Sequence, residues 1–435
     1  MTERILIKNG RVMDPSANLD ERLDILIEDG RVTEVSSDIK PQGDVETLDA
    51  TGCIVTPGLI DCHVHLRESG RKGAALETGE AKETIRSGTR AAAKGGFTTV
   101  LCEPNTTPPI DSWERVNELQ ERISSTSFVR TYVKVSMTVG MQGERVTDIE
   151  KLSVHPLVKA LSEDGNPIVE EKLMYEVCQR AAKNNLPLSC HSEDSSFSLA
   201  KRSRKLGFRP REDFHNEPNF IARDILLAEA SRAQIHISHV SMRESLEVIR
   251  RAKARNRTLV TCEVTPHHLL LDDSFRDPRG LRATVNPPLR SKEDTAALIE
   301  ALKEGMIDVI ASDHAPHREE DKRAGAPGFI GLETTLGLVL TKLVQPGIIP
   351  LMHAIRMMST TPSTIFHLKD GSLKKGARAD VAIIDTGREW TVDTGGFEAL
   401  SRNCPFEGWR LRGRSVAVIV GGRIIMRDGE LIRCA

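Results

Sequence analysis

Gly58-Leu59-Ile60-Asp61-Cys62-His63-Val64-His65-Leu66-Arg67 is a short apolar run that ends in two histidines one residue apart. In extended chain, alternate side chains point the same way, so His63 and His65 project together and both imidazoles can reach one ion. Two structural histidines would give the same spacing. The weight of the reading therefore depends on whether other strands end alike.

Seven further apolar runs follow: FTTVLC from 97, VRTYVKVSM from 129, VKALS from 158, LPLSC from 186, QIHIS from 234, TLVTCEV from 258 and DVIAS from 308. They alternate with helical stretches such as EEKLMYEVCQRAAKNN at 170–185 and REDFHNEPNFIARDILLAEASR at 211–232. Eight strand-helix units over residues 56–375 predict an α/β fold, a (β/α)8 TIM barrel, whose strand C-termini converge on one face. Several of those termini carry a metal-ligand residue. Asp164 follows VKALS, His191 follows LPLSC, His239 follows QIHIS, and Asp313 with His314 follows DVIAS. His155 and His236 read as ordinary core or surface residues.

Four histidines and two carboxylates exceed what one tetrahedral ion needs. Two ions sharing a bridging carboxylate and a bridging hydroxide use all six of His63, His65, Asp164, His191, His239 and Asp313, and two Zn2+ per subunit are expected. A nitrogen and oxygen donor set without thiolate would also accept Co2+ or Mn2+ in vitro.

The chain ends have a different texture. Residues 1–55 carry short strands closed by Gly and Asp (ILIKNG, DILIEDG, VTEVSS, ETLDATGCIVTPG), and residues 376–435 repeat the pattern in ADVAIIDTG, SVAVIVGGRIIM and RDGELI. The two ends are expected to pair into one small β-sandwich domain beside the barrel.

Composition narrows the partners. The 60 basic and 62 acidic side chains nearly cancel, and no Lys or Arg run is long enough for a nucleic-acid footprint, so a small-molecule substrate is expected. The N-terminus lacks a basic head and apolar core, and no run of 18 apolar residues occurs, which predicts a cytoplasmic protein with no membrane contact. Eight cysteines stand singly, at 53, 62, 102, 178, 190, 262, 404 and 434, as buried reduced thiols do.

Read end to end, PGLIDCHVHLR, GGFTTVLCEPNTTPP, SEDG, CHSED, ISHVS, EVTPHHLLL, NPPLR, ASDHAPH and GLETTLGL are similar to the motifs of the dihydroorotases of the amidohydrolase superfamily. Within that family the chain resembles the bacterial-type class, which has an Asp where other members carry a carboxylated lysine. The resemblance implies reversible cyclisation of N-carbamoyl-L-aspartate to L-dihydroorotate with release of water, a step of pyrimidine (UMP) biosynthesis. It implies that His63 and His65 bind the first metal, His191 and His239 the second, that Asp164 bridges, and that Asp313 binds the first metal and acts as general base and acid. Arg67, Asn105 and His317 would hold the substrate carboxylate, Asn286 and the backbone near Pro327 and Gly328 would orient the ring amides, and His65 would also touch the substrate. A homodimer and association with aspartate transcarbamoylase are further expectations.

Two other readings stay open. Allantoinases and hydantoinases share the two metal strands but typically lack the Arg after the second His and the PNT triplet, which stand here as Arg67 and Pro104-Asn105-Thr106. A carboxylate is what a guanidinium fork recognises, and dihydroorotate carries one. An inactive scaffold for aspartate transcarbamoylase would be expected to have lost metal ligands, and all six are present.

The chain also departs from the family pattern. Ser69 replaces the usual Pro after Arg67-Glu68, about eight residues are inserted within 71–79, and Glu103 stands where an apolar residue normally precedes PNT. Lys159 in VKALS offers a carboxylated lysine as the alternative bridge, although Asp164-Gly165 matches the aspartate class better.

Overall fold

A computed structural model describes residues 4–68, 82–193, 217–277, 279–280 and 283–432. The chain opens with β1 (Arg4–Asp14), β2 (Leu19–Glu28), β3 (Arg31–Ser36), β4 (Glu46–Asp49) and β5 (Ile54–Pro57). Eight strands follow: β6 (Leu59–Val64), β7 (Phe97–Cys102), β8 (Arg130–Ser136), β9 (Val158–Ser162), β10 (Leu188–Cys190), β11 (Ile235–Ile237), β12 (Val260–Val264) and β13 (Val309–Ile310). The chain ends with β14 (Val381–Thr391), β15 (Arg410–Val420), β16 (Arg423–Arg427) and β17 (Glu430–Leu431).

Strands β6 to β13 pair in chain order as one parallel sheet, with a helix in every crossover. The helix starts are written locally. Thr84 Oγ1 accepts from the Ser87 amide at the start of Ile85–Lys94, and Ser291 with Asp294 forms a reciprocal cap on Lys292–Lys303. Closure of the barrel needs no full ladder between first and last strands. Val64 bridges His314 in parallel, His65 N–H donates to His314 O at 2.8 Å, and the Ser312 amide donates to Asp61 Oδ2 at 3.1 Å. Buried Asp61, pushed up to about 6 by desolvation, thus ties the first strand to the last.

The two chain ends meet as expected. β5 pairs antiparallel with β14 and parallel with β1, which builds one continuous nine-stranded sheet in the order β17-β16-β15-β14-β5-β1-β2-β3, with β4 on β1. This sheet has a core of its own, including Ile7, Val12, Ile25, Ile27, Val55, Val381 and Ile419. Long alternating runs such as ADVAIIDTG give such strands one apolar face to bury.

Inside the barrel the filling is layered. Ile60, Leu101, Ala160 and Val309 pack with Phe366 as an apolar floor. Above them lies a polar layer that the apolar strand pattern did not announce. Glu103, Lys134, His236 and Glu263 are each wholly buried, and Lys134 Nζ donates to Glu103 Oε1 and, at 2.8 Å, to Ser189 Oγ. Among the described residues no helix is long and apolar enough to cross a membrane, and the described cysteines are free thiols, all buried except the half-buried Cys53.

Candidate metal centre

The strand C-termini place six side chains around one point. His63 and His65 leave β6, Asp164 follows β9, His191 follows β10, His239 follows β11 and Asp313 follows β13. All six are buried. Asp164 stands at the centre: its Oδ1 is 3.5 Å from His63 Nε2, 3.4 Å from His191 Nδ1 and 3.5 Å from His239 Nε2, and its Oδ2 is 3.6 Å from His65 Nε2. Asp313 Oδ1 lies 3.1 Å from His65 Nε2 and 3.6 Å from His63 Nε2.

Two groups capable of holding a cation result, His63/His65/Asp164 and Asp164/His191/His239, and they share the one aspartate. The donor set fits divalent ions. Ligand atoms about 2.0–2.2 Å from a tetrahedral ion stand roughly 3.4 Å apart, close to the spacing of these atoms. His63 Nε2 and Asp164 Oδ1 are also buried with no hydrogen-bond partner, a costly state for polar atoms that a shared cation relieves.

The local charges favour positive occupancy as well. Burial alone would push Asp164 up, yet the imidazoles of His191, His239, His63 and His65 around it hold it well below the ordinary carboxylate range. Burial pushes His63 down, but the charges of Glu263, Glu103 and Asp313 override it and raise His63 well above an ordinary imidazole. A cage that pulls protons onto imidazoles is one in which a divalent ion replaces them.

Each imidazole of the first pair is oriented from behind. Asn105 Nδ2 donates to Asp164 Oδ2 at 3.0 Å, so its Oδ1 faces His65 and accepts from Nδ1 at 2.8 Å; Arg67 Nη1 donates to the same oxygen at 3.3 Å. His65 Nε2 is thereby left for the cage. Arg67, His239 and Asp313 all hold left-handed backbone (φ 51°, 33° and 46°), a conformation that costs non-glycine residues energy and clusters at working sites.

Around this centre, Asn286 Nδ2 is 3.2 Å from His191 Nε2. His317 is 8 % exposed, neither ring nitrogen has a partner, and burial with the charges of Arg67, Lys82 and Lys322 lowers it to about 3. It is therefore neutral at pH 7 and carries one N–H. Gly328 has φ 140°, and a Cβ there would lie 2.7 Å from both Ala315 Cβ and Ala315 O and 3.1 Å from His317 Cδ2. Its carbonyl accepts from Lys322 Nζ at 2.9 Å and Asn403 Nδ2 at 3.0 Å, which pins the Pro327-Gly328 turn. Gly328→Ala is expected to destabilise the fold by at least about 1–3 kcal/mol from backbone strain alone, read as a lower urea midpoint, and to raise KM by displacing His317.

The questions raised by the sequence resolve unevenly. Glu103 is wholly buried below the cage: it pairs with Lys134, accepts from Ser162 Oγ at 2.6 Å, and has its Oε1 3.8 Å from His63 Nε2. Lys159 as a carboxylated bridge is contradicted, because it sits near the start of β9, at the opposite end of the strand from Asp164, with its ammonium 4.9 Å from the Tyr132 ring centroid. Ser69 and the 71–79 insertion lie outside the described residues, as does 211–216 of the helix expected at 211–232. His155 is no ligand; it packs on Trp113. His236 also stays out of the cage but bonds Glu263, a buried residue behind His63 that the sequence reading overlooked. A charge embedded in the otherwise apolar runs TLVTCEV and VRTYVKVSM was the available signal for Glu263 and Lys134.

A TIM barrel with a His/Asp cage at its strand C-termini defines the class of metal-dependent hydrolases, and residues 54–425 match the Amidohydrolase family. An L-hydantoinase (dihydropyrimidinase) from Arthrobacter aurescens superposes with a TM-score of 0.86 at 26 % identity, covering 100 % of this chain and 98 % of that one. A dihydropyrimidinase from Brevibacillus agri, at 23 % identity and a TM-score of 0.84 over 99 % of this chain and 96 % of that one, shares the fold. Sequence discriminates further. The dihydroorotase of Halalkalibacterium halodurans is 41 % identical over 99 % of this chain and 100 % of its own, and that of Syntrophotalea carbinolica 40 % over 98 % and 99 %. The chain belongs to the dihydroorotase family of amidohydrolases.

Proposed function

We propose that the protein interconverts N-carbamoyl-L-aspartate and L-dihydroorotate in the cytoplasm, for pyrimidine synthesis, using two Zn2+ ions. The observation that carries the reading is the pairing of a doubly shared aspartate with unsatisfied polar atoms beside it: Arg67 Nε, an N–H donor, and both His317 ring nitrogens, one of which carries the N–H of the neutral ring, are buried without partners. Such donors are what a substrate carboxylate would satisfy.

His63, His65, Asp164 and Asp313 would hold one cation, and Asp164, His191 and His239 the other. When bound, the pair supplies Lewis-acid polarisation of a ring carbonyl and lowers the pKa of water to near neutrality. The chain does the rest. Arg67 and neutral His317 grip the carboxylate and fix the ring. Asn286 and the pinned Pro327-Gly328 backbone orient its amides. Asp313, held in contact with His65, takes the proton released by the attacking water and returns it to the departing amide nitrogen. Ring closure retraces these steps.

The decisive assay supplies dihydroorotate and, separately, carbamoyl-aspartate to the purified protein with and without added Zn2+. Interconversion in neither direction would sink the proposal. The hydantoinase-like neighbours motivate a second reading, a cyclic amidase for uncharged rings, and Arg67→Ala separates the two. Loss of charge-assisted hydrogen bonds worth about 1.5–3 kcal/mol should lower kcat/KM for dihydroorotate by roughly 10- to 100-fold and leave any activity on an uncharged cyclic amide intact. Wild-type turnover of the uncharged ring alone would favour the second reading. Homodimerisation and association with aspartate transcarbamoylase belong to the same proposal; sedimentation of the protein alone and mixed with that enzyme tests both.

A further inference from the structure

Glu263 lies within β12, wholly buried, and its carboxylate serves four donors. Oε1 accepts from His63 Nδ1 at 2.5 Å and from the His239 backbone amide at 3.3 Å. Oε2 accepts from His236 Nε2 at 3.0 Å and Cys62 Sγ at 3.2 Å. Cys62, His236 and Glu263 stand close enough to one another to hold a cation of their own. Their contacts argue otherwise. His236 Nδ1 is satisfied by Thr261 Oγ1 at 2.9 Å, its Nε2 by Glu263, and neither Glu263 oxygen lacks a partner, so this is a closed hydrogen-bond network.

What that network faces is His63. An ionised carboxylate has no proton to give, so the short contact places the imidazole hydrogen on Nδ1. A neutral ring with hydrogen on Nδ1 has its lone pair on Nε2, and His63 Nε2 is the buried, unpartnered atom 3.5 Å from Asp164 Oδ1 and 3.6 Å from Asp313 Oδ1. We propose that Glu263 is a positioning residue for the first cation: it fixes the tautomer and ring angle of His63, and His236 and Cys62 in turn hold Glu263 in place. His65 obtains the same result from a neutral amide, that of Asn105. The two histidines of the pair are therefore unequal ligands. The anion behind His63 makes its Nε2 the more basic donor.

The inference rests on the two-cation reading above, and metal retention tests it without reference to turnover. An active or inactive protein that holds two ions normally thus leaves the questions of reaction and positioning separate. Glu263→Gln keeps the shape, but its single carbonyl oxygen cannot serve His63 on one side and His236 with Cys62 on the other. In chelator competition with Co2+- and Zn2+-loaded enzyme, E263Q should lose the cation at His63 and His65 with about 10- to 100-fold weaker affinity, while the cation at His191 and His239 is retained. At a chelator level where wild type keeps two equivalents, the variant keeps one. His236→Gln, which withdraws a single donor from the same carboxylate, should show a smaller loss of the same cation. Wild-type affinity for both ions in folded E263Q, or equal weakening of both, overturns the proposal. Should E263Q fail to fold by circular dichroism, H236Q decides: wild-type retention of both ions there overturns it, and selective loss of one supports it.

Discussion

Asp164→Ala is expected to empty both halves of the metal centre at once, where any single histidine variant empties one. The reason is positional: one carboxylate stands 3.4–3.6 Å from a nitrogen of each of four histidines. Without it, no anion is common to the two histidine pairs, and Asp313 contacts only the first. Asn105 also loses the acceptor that turns its oxygen toward His65. The two proposed cations would contribute several kcal/mol of charge stabilisation to the reaction, so kcat/KM should fall by about 10³-fold or more. Metal analysis of the purified variant checks the structural half of the expectation and the dihydroorotate assay the chemical half. Retention of two ions would remove Asp164 from the bridging role. Lys159→Ala is the matched control, with metal content unchanged, because that lysine lies over Tyr132 at the far end of the strand.

Asp313→Asn should produce a loss of comparable size by a different route. The amide is close in shape and can still present an oxygen toward His65, so the ions should remain. What disappears is a proton acceptor. Burial would raise Asp313, but His63, a hydrogen bond from His65, and the further charges of His65 and His239 together hold it below the usual carboxylate range, so it is ionised and ready at neutral pH. Removing a general base costs about 10²- to 10⁴-fold in kcat. The signature is a low kcat with two equivalents of metal and a nearly unchanged KM, and it distinguishes this variant from Asp164→Ala. Near-normal kcat in D313N would assign the proton transfer to another group.

Both expectations concern residues that could be picked out from the chain alone, and the physical reason is the barrel's regularity. A parallel strand buried on both faces is a nearly unbroken apolar run, so its end is marked by the first polar residue. In a closed barrel all such ends lie on one face. His63, His65, Asp164, His191, His239 and Asp313 could therefore be proposed as a cluster from sequence. The runs FTTVLC and VKALS contain the observed β7 and β9 without error at either end.

The strand interior hid more. Glu103 stands in an apolar position of the family pattern, and sequence gives a residue's place along a strand but not what waits across the barrel. Lys134, 31 residues away in sequence, and Ser162, 59 away, neutralise and bind it. The same limit concealed Glu263, whose partners Cys62 and His63 are 201 and 200 residues distant.

Sequence by itself determined the alternation of strands and helices, the pairing of the two chain ends and the family, and it put forward the six candidate donors, since each is written in local periodicity or in a motif of a few residues. Tertiary structure alone decided that Asp164 and not Lys159 lies among the four histidines, which way the Asn105 amide is turned, and that a buried carboxylate stands behind His63. Those are questions of direction and distance between side chains far apart in the chain, and they have answers only once the eight strands have closed around a common axis.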